Sequence, residues 1–127
     1  GMADTMNHGT ILFGHGSRDP LWRLPIEAVA RRMQELQPGA RVQCAYLELT
    51  TPDLATAADT LVAQGCRSIT VLPMFLGTGR HAREDLPVLL AKLREHYPSV
   101  HFIQQPAIGE MASVIDLMAQ EALRTHS

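Results

Sequence analysis

Apolar and polar residues follow one another in blocks whose spacing predicts alternating strands and helices. Short apolar runs predict four buried strands, at 10–13, 42–47, 68–72 and 101–104. After each strand, apolar residues spaced three or four apart predict an amphipathic helix. The four apolar stripes are Trp22, Ile26, Val29, Met33 and Leu36; Leu54, Ala58 and Leu61; Leu86, Leu89, Leu90, Leu93 and Tyr97; and Met111, Val114, Ile115 and Met118.

Capping residues suggest where the helices begin. Thr51 is a plausible N-cap with Pro52 at the first helical position, and Asp85 is a plausible cap for the third helix. The segment 73–83 fits neither period and is predicted to be a loop, while the last helix is predicted to span 110–123.

The order βαβαβαβα predicts an α/β fold. Its expected form is an open parallel four-stranded sheet with helices on both faces, comparable to half of a Rossmann or flavodoxin-type fold. We expect a single domain over 10–124, preceded by a disordered or tag-derived segment at 1–9 and followed by a tail at 125–127.

Composition narrows the class of partner. The 127 residues are 46% hydrophobic and carry a formal net charge of -2, which predicts no broad attraction to nucleic acid or to an anionic membrane. The first residues lack the basic and apolar regions of a secretion signal, and two cysteines do not make a disulfide framework. We therefore expect a cytoplasmic protein.

Three potential metal ligands recur at one edge of the predicted sheet. His15 follows the first strand, Glu48 the second and His81 the third, and 33 positions separate each from the next. Ligands of parallel α/β sheets bind beyond the carboxyl ends of the strands. Two imidazoles and a carboxylate suit iron, cobalt or nickel. Position alone leaves Glu48 open between a ligand and an ordinary carboxylate at a strand end.

Three arginines flank the loop histidines. Arg18, Arg80 and Arg83 favour a ligand rich in carboxylate or phosphate, although salt bridges to neighbouring acidic residues explain them equally well. The glycines at 77 and 79 do not form a nucleotide-binding loop, and Ser17 is not in a GxSxG elbow.

Five short stretches carry a resemblance to a known family. They are 12–18 (LFGHGSR), 46–48 (YLE), 73–77 (PMFLG), 79–81 (GRH) and 85–87 (DLP). In this order they resemble the small sirohydrochlorin chelatases, which belong to the class II tetrapyrrole chelatases. The resemblance runs over most of the chain, from about residue 10 to residue 123.

The resemblance implies a function. The chain is expected to insert Co²⁺ or Fe²⁺, or alternatively Ni²⁺, into sirohydrochlorin during cobalamin or sirohaem biosynthesis, with the metal as a substrate and without a prosthetic group. It implies that His15 and His81 handle the metal, with Glu48 as their acidic partner, and that the protein forms a homodimer. These three residues are expected to be both catalytic and metal-binding.

The macrocycle needs carboxylate-binding and apolar contacts. Arginines suit its carboxylates, and apolar side chains suit its flat face, although core packing is expected for at least one of them. The expected substrate-binding residues are Ser17, Arg18, Met74, Phe75, Leu76, Gly77, Arg80 and Arg83.

Two other functions fit part of the pattern. One is a carrier that binds metal or tetrapyrrole without catalysing insertion. The other is a histidine phosphatase, whose Arg-His-Gly motif also follows a first strand. Gly14 stands where that arginine would be, which weakens the phosphatase reading.

Overall fold

In a computed structural model, which describes residues 7–125, four parallel strands form one sheet in the order β2-β1-β3-β4. The strands are β1 (His8–Gly14), β2 (Arg41–Tyr46), β3 (Ser68–Pro73) and β4 (His101–Gln104). The helices are α1 (Leu24–Leu36), α2 (Leu54–Ala63), α3 (Arg80–His96) and α4 (Ala112–Leu123), and a 3₁₀ turn (Ile108–Glu110) precedes α4. The predicted parallel α/β class is confirmed. Within residues 7–125, no helix has both the length and the apolar character needed to cross a bilayer.

The two faces of the sheet are covered unequally. Helices α2 and α3 contact each other and share the larger core, whose buried side chains include Ile11, Phe13, Leu61, Ile69 and Leu90. Helix α1 covers part of the other face through a smaller cluster of Leu12, Ile26 and Tyr46. Residues 11–14 of β1 are all buried, because this part of the strand is covered on both faces, and it is therefore a continuous apolar run instead of an alternating one.

The strand order puts the ligand-binding crevice expected of such a sheet at the carboxyl end of β1. From β1 the chain moves to one side to form β2, and β3 then lies on the other side of β1. Neighbouring connections therefore leave the sheet in opposite directions next to the end of β1. This is the point at which open parallel sheets bind their ligands.

Strand β1 begins at His8, two residues before the predicted start. His8 and Gly9 therefore belong to the sheet, not to a disordered segment. The His8 ring lies 3.1 Å from the Ser68 hydroxyl and 3.1 Å from the Thr70 hydroxyl, both on β3. These partners allow a polar side chain on the strand. Residues 1–6 and 126–127, which include most of the predicted N-terminal segment and tail, lie outside the described residues.

The predicted cap of α2 is wrong by two residues. Asp53 is the N-cap, and its carboxylate accepts a hydrogen bond of 2.9 Å from the Thr56 amide. Pro52 lies outside the helix, since its carbonyl accepts a 3.0 Å bond from the Tyr46 amide. Thr51 and Asp53 are both capping types, and the charged carboxylate also favours the positive end of the helix dipole.

The predicted start of α3 is also wrong. The helix begins at Arg80 after an extended Gly79, so the predicted loop is shorter and Asp85 lies within the helix. Its buried face extends back to Ala82, a small residue that adds little to a hydrophobic pattern. Pro87 lies in the helix interior.

Two predicted apolar faces are only partly buried. In the first helix Ile26 is buried, but Val29 and Leu36 are exposed, and Trp22 precedes α1. Helix α4 has no fully buried residue, and its predicted inward residues Ile115 and Met118 are exposed. Its main contact is the 3₁₀ turn before it, and that turn contains Glu110, the predicted first residue of the helix.

The Asp53 cap gives a prediction for stability. Asp53→Ala should lower the free energy of unfolding by about 1 kcal/mol, while Asp53→Asn should retain most of it because asparagine caps equally well. Hydrogen bonds from the Thr56 side chain and amide lower the pKa of Asp53 from its ordinary 3.8. The carboxylate contribution is therefore present above pH 3.8 and lost as the pH falls through the lower folded pKa.

Urea unfolding at about pH 7 and about pH 2.5 measures both effects. The deficit of Asp53→Ala against wild type should shrink at the lower pH. An equal deficit at the two pH values would show that the carboxylate charge is not involved.

Candidate metal-binding and active site

The loops that follow β1 and β2 run side by side beyond the sheet. Loop 1 (residues 15–23) and loop 2 (residues 47–53) continue the pairing of the strands that they leave. The Leu47 amide donates to the Gly14 carbonyl at 3.0 Å, and the Glu48 amide donates to the His15 carbonyl at 3.1 Å. The backbone therefore places Gly16, the residue after His15, next to Glu48, which carries the candidate carboxylate.

Gly16 is required by this close approach. Its φ is +107°, and a Cβ built at this position would lie 1.7 Å from the Glu48 carbonyl oxygen. Any other residue would push the two loops apart. The glycine of the His15-Gly16 pair thus makes room for loop 2.

His15 and Glu48 form a contact pair at the crevice. The His15 Nε2 and Glu48 Oε1 atoms are 3.2 Å apart, and the side chains are 48% and 56% exposed. The Phe75 ring meets the His15 ring edge to face at 6.5 Å, and it also packs against Phe13 of the core at 6.3 Å. The pair is therefore supported from the core side and open to solvent on the other.

His81 is not part of this contact. It is the second residue of α3, not a loop residue, and its side chain is exposed. Within residues 7–125, no three or more histidine, cysteine, aspartate or glutamate side chains are grouped closely enough to hold a metal ion. The single chain thus assembles two of the three predicted ligands.

The cysteines are unsuited to metal binding. Cys66 is buried in the larger core and Cys44 is half-buried on β2. Burial raises the pKa of both thiols, with the nearby Glu27 raising that of Cys44 further. Both therefore stay protonated near neutral pH, and a metal ligand has to be the thiolate.

The predicted substrate-binding residues occupy different environments. Met74 and Phe75 pack against the two cores, whereas Leu76 is 73% exposed and Gly77 faces open space. The Ser17 hydroxyl accepts a 3.1 Å bond from the Asp19 amide, within its own turn.

The arginines also differ from one another. Arg80 pairs with Glu84 across one helical turn at 3.3 Å, which is the salt bridge that the sequence suggested as an alternative. Arg83 donates to the Thr78 carbonyl at 3.4 Å. Arg18 is exposed on loop 1. All three are accessible to an anionic ligand at this edge.

Sequence reasoning missed Thr50. Its hydroxyl accepts a 3.0 Å bond from the Ser17 amide and donates a 2.8 Å bond to the Ser17 carbonyl. A signal was present, since Ser17 and Thr50 are 33 positions apart, the same interval as His15 and Glu48. That interval marks residues that face each other across the two loops.

Position 14 leaves no space for a phosphatase arginine. A Cβ there would lie 2.8 Å from the Ile26 side chain and 3.0 Å from the Trp22 ring. An arginine would displace both side chains and disturb the contact of Trp22 with Tyr46, whose rings are 5.9 Å apart.

A cavity of about 790 Å³ opens at the opposite edge of the sheet, between α1 and the beginnings of three strands. Its walls include His8, Arg41 and Arg67 and none of the predicted site residues. Because none of the predicted ligands lines this cavity, the candidate metal site stays at the carboxyl edge, where the His15–Glu48 pair lies.

Comparison with known proteins supports the expected family. A family model described as CbiX matches residues 9–125. The sirohydrochlorin cobaltochelatase of Priestia megaterium is 28% identical over 110 residues, which are 86% of this chain and 36% of that protein. The chloroplastic sirohydrochlorin ferrochelatase of Arabidopsis thaliana is 28% identical over 110 residues, 87% of this chain and 49% of that protein. The chain thus spans about half or less of these relatives.

Solved structures agree in fold. A putative cobalamin biosynthesis CbiX protein from Marinobacter aquaeolei VT8 is 31% identical with a TM-score of 0.73, and the match covers 93% of this chain and 99% of that one. The chelatase SirB of Bacillus subtilis subspecies spizizenii, in complex with cobalt, has a TM-score of 0.76 at 24% identity, covering 95% of this chain and 56% of that one. The match over residues 9–125, with which the fold agrees, shows that this chain belongs to the CbiX family.

Proposed function

We propose that this protein inserts Co²⁺ or Fe²⁺ into sirohydrochlorin. The observation that carries the proposal is the 3.2 Å contact between His15 Nε2 and Glu48 Oε1 at the crevice of the sheet. It stands in a chain of the CbiX family, whose relatives include proteins named cobaltochelatase and ferrochelatase.

Metal insertion needs two things from a protein. A group must hold the ion without trapping it, and a base must accept the two protons of the pyrrole nitrogens. Neutral imidazole and carboxylate do both near neutral pH. In this proposal His15 and Glu48 first hold the ion, and each then accepts one pyrrole proton as the ion passes to the macrocycle. Their exposure lets a large macrocycle approach. The metal is a substrate, and the reaction needs no prosthetic group.

His81 is the third proposed ligand and catalytic residue. It lies in the first turn of α3, which begins at the same edge of the sheet as loops 1 and 2. A bound macrocycle or a second chain would supply the neighbours that the single chain does not place around it. This gives His81 a weaker hold on the ion than His15 has.

The macrocycle is held by the remaining residues of the edge. Arg18, Arg80 and Arg83 pair with its carboxylates, because guanidinium groups bind carboxylate with two parallel hydrogen bonds. The exposed Leu76 lies against its flat face, with Gly77 beside it. Met74 and Phe75 support this apolar surface from the core side, because both pack against the cores. The Ser17 hydroxyl accepts a bond from the Asp19 amide and keeps its own proton, which it donates to a carboxylate of the macrocycle.

The ligand types do not select one metal, so the ion that is inserted depends on which ion the cell supplies. Imidazole and carboxylate bind Co²⁺, Fe²⁺ and Ni²⁺ with the affinity order common to such sites. The cobalamin and sirohaem pathways therefore use one site chemistry in this proposal. The cytoplasmic location expected from the sequence stays a prediction.

The two histidines give the first test of function. His15→Ala should lower the rate of sirohydrochlorin metallation by about 100-fold, the size expected for loss of a base and ligand. His81→Ala should lower it by about tenfold, because outer or shared ligands contribute less. The measurement is the absorbance change of sirohydrochlorin with Co²⁺ or Fe²⁺ under anaerobic conditions.

The control is His101→Ala, which removes an exposed histidine at the opposite edge of the sheet and should leave the rate unchanged. A wild-type rate no higher than that without protein would reject the chelatase function. Tight metal binding in that case would favour a carrier.

We also propose that the protein works as a homodimer. Helix α4 carries a stripe of apolar side chains on which Ile115 is 49% and Met118 37% exposed. Contiguous exposed apolar surface commonly marks an interaction site. A second copy covering α4 by two-fold symmetry is the simplest partner, because the same surface then serves both subunits.

A matched pair of variants tests the dimer. Ile115→Glu should shift the protein from twice the 14.0 kDa chain mass to the mass of a single chain. Gln120→Glu, which adds the same charge on the polar side of α4, should leave the mass unchanged. Light scattering after size-exclusion chromatography gives both masses. A wild-type protein of 14.0 kDa at every concentration would contradict the proposal.

A further inference from the structure

The Thr50 hydroxyl bonds to both backbone groups of one residue on the facing loop. It accepts from the Ser17 amide at 3.0 Å and donates to the Ser17 carbonyl at 2.8 Å, and the contact is half-buried. A hydroxyl has a donor and an acceptor, so one side chain satisfies both groups.

These bonds take over where the backbone pairing of the two loops ends. Two backbone bonds join the loops, at Leu47–Gly14 and Glu48–His15. After Glu48 the chain turns back, and the Thr50 amide bonds to the Glu48 carbonyl at 2.7 Å instead of to loop 1. The hydroxyl then provides the third link between the loops, one step beyond the candidate ligands.

Both loops have unusual backbone next to those ligands. Gly16, after His15, has φ +107°, and Leu49, after Glu48, has φ +64°. A leucine adopts the left-handed region only where its surroundings hold it there. The Thr50–Ser17 bonds are the contacts on the far side of both residues, so they close the segment that contains His15 and Glu48.

We propose that Thr50 is a positioning residue that holds His15 and Glu48 at the spacing needed to bind the metal ion. This inference rests on the proposed function and deepens it, since Thr50 acts through the pair and does not touch the ion. Groups that orient metal ligands commonly change metal affinity by 10- to 100-fold when they are lost.

The first experiment measures Co²⁺ binding by the protein alone, from the visible absorbance of bound Co²⁺. Thr50→Val keeps the shape but loses the hydroxyl, and it should weaken binding by about tenfold. Thr50→Ser keeps the hydroxyl and should bind within about twofold of wild type, a rescue expected only if the hydroxyl is the cause. Thr60→Val, which removes a hydroxyl bonded within α2, is the control and should not change binding.

The second experiment asks whether Thr50 acts through the pair. Glu48→Gln should weaken Co²⁺ binding by about tenfold in the wild-type background and by less than about threefold in Thr50→Val, because Glu48 is no longer held beside His15. A residue that only stabilised the fold would leave this penalty equal in both backgrounds. Thermal melting of each variant shows that it is folded.

Three results would overturn the inference. One is equal Co²⁺ affinity in wild type and Thr50→Val, another is an equal Glu48→Gln penalty in both backgrounds, and the third is no saturable Co²⁺ binding by wild type. Should Thr50→Val fail to fold, Thr50→Ala and Thr50→Ser form the pair that differs by the hydroxyl, and equal affinities there have the same meaning. Thr50-dependent Co²⁺ binding without metallation would reject the proposed function and leave the positioning role intact.

Discussion

The pairing of the loops after β1 and β2 is the constraint on which the site depends. Each loop continues the hydrogen bonding of its strand for one more residue, and this places His15 and Glu48 side by side. The approach is so close that position 16 has to be glycine. Without this pairing the two exposed side chains would not be held in contact, because an ion pair at the surface contributes little free energy by itself.

The fold supplies this constraint through its strand order. Strands β1 and β2 are neighbours, so the loops that follow them begin side by side. Strand β3 lies on the other side of β1, and Phe75 follows its last residue by two positions. Phe75 links the site to the core by touching both His15 and Phe13. The backbone thus holds His15 and Glu48 together, the Phe75 ring contacts His15 from the core side, and the other side of the pair is open to solvent.

The sequence predicts the sheet, and it predicts that His15 and Glu48 lie at one edge of it, because buried parallel strands are continuous apolar runs and because one βα unit separates the two residues. It predicts helix starts less well. Asp53 and Thr51 both look like caps, and the buried Ala82 adds almost nothing to an apolar pattern.

A side-chain bond to a distant backbone leaves no hydrophobic pattern. The interval of 33 positions between Ser17 and Thr50 identifies the contact only once the pairing of the two loops is known. The apolar stripe of α4 is present as the sequence predicts, but Ile115 and Met118 on it are exposed. An apolar stripe indicates that a helix face is suited to burial, but it does not indicate which other surface buries it.

We propose that the ion binds between His15 and Glu48. Anomalous diffraction at the cobalt edge, from crystals of the protein loaded with Co²⁺, locates the ion directly. A single strong peak is expected within bonding distance of His15 Nε2 and the Glu48 carboxylate, beyond the carboxyl ends of β1 and β2. A peak at His8 or His101, at the opposite edge of the sheet, with none beside His15, would contradict it.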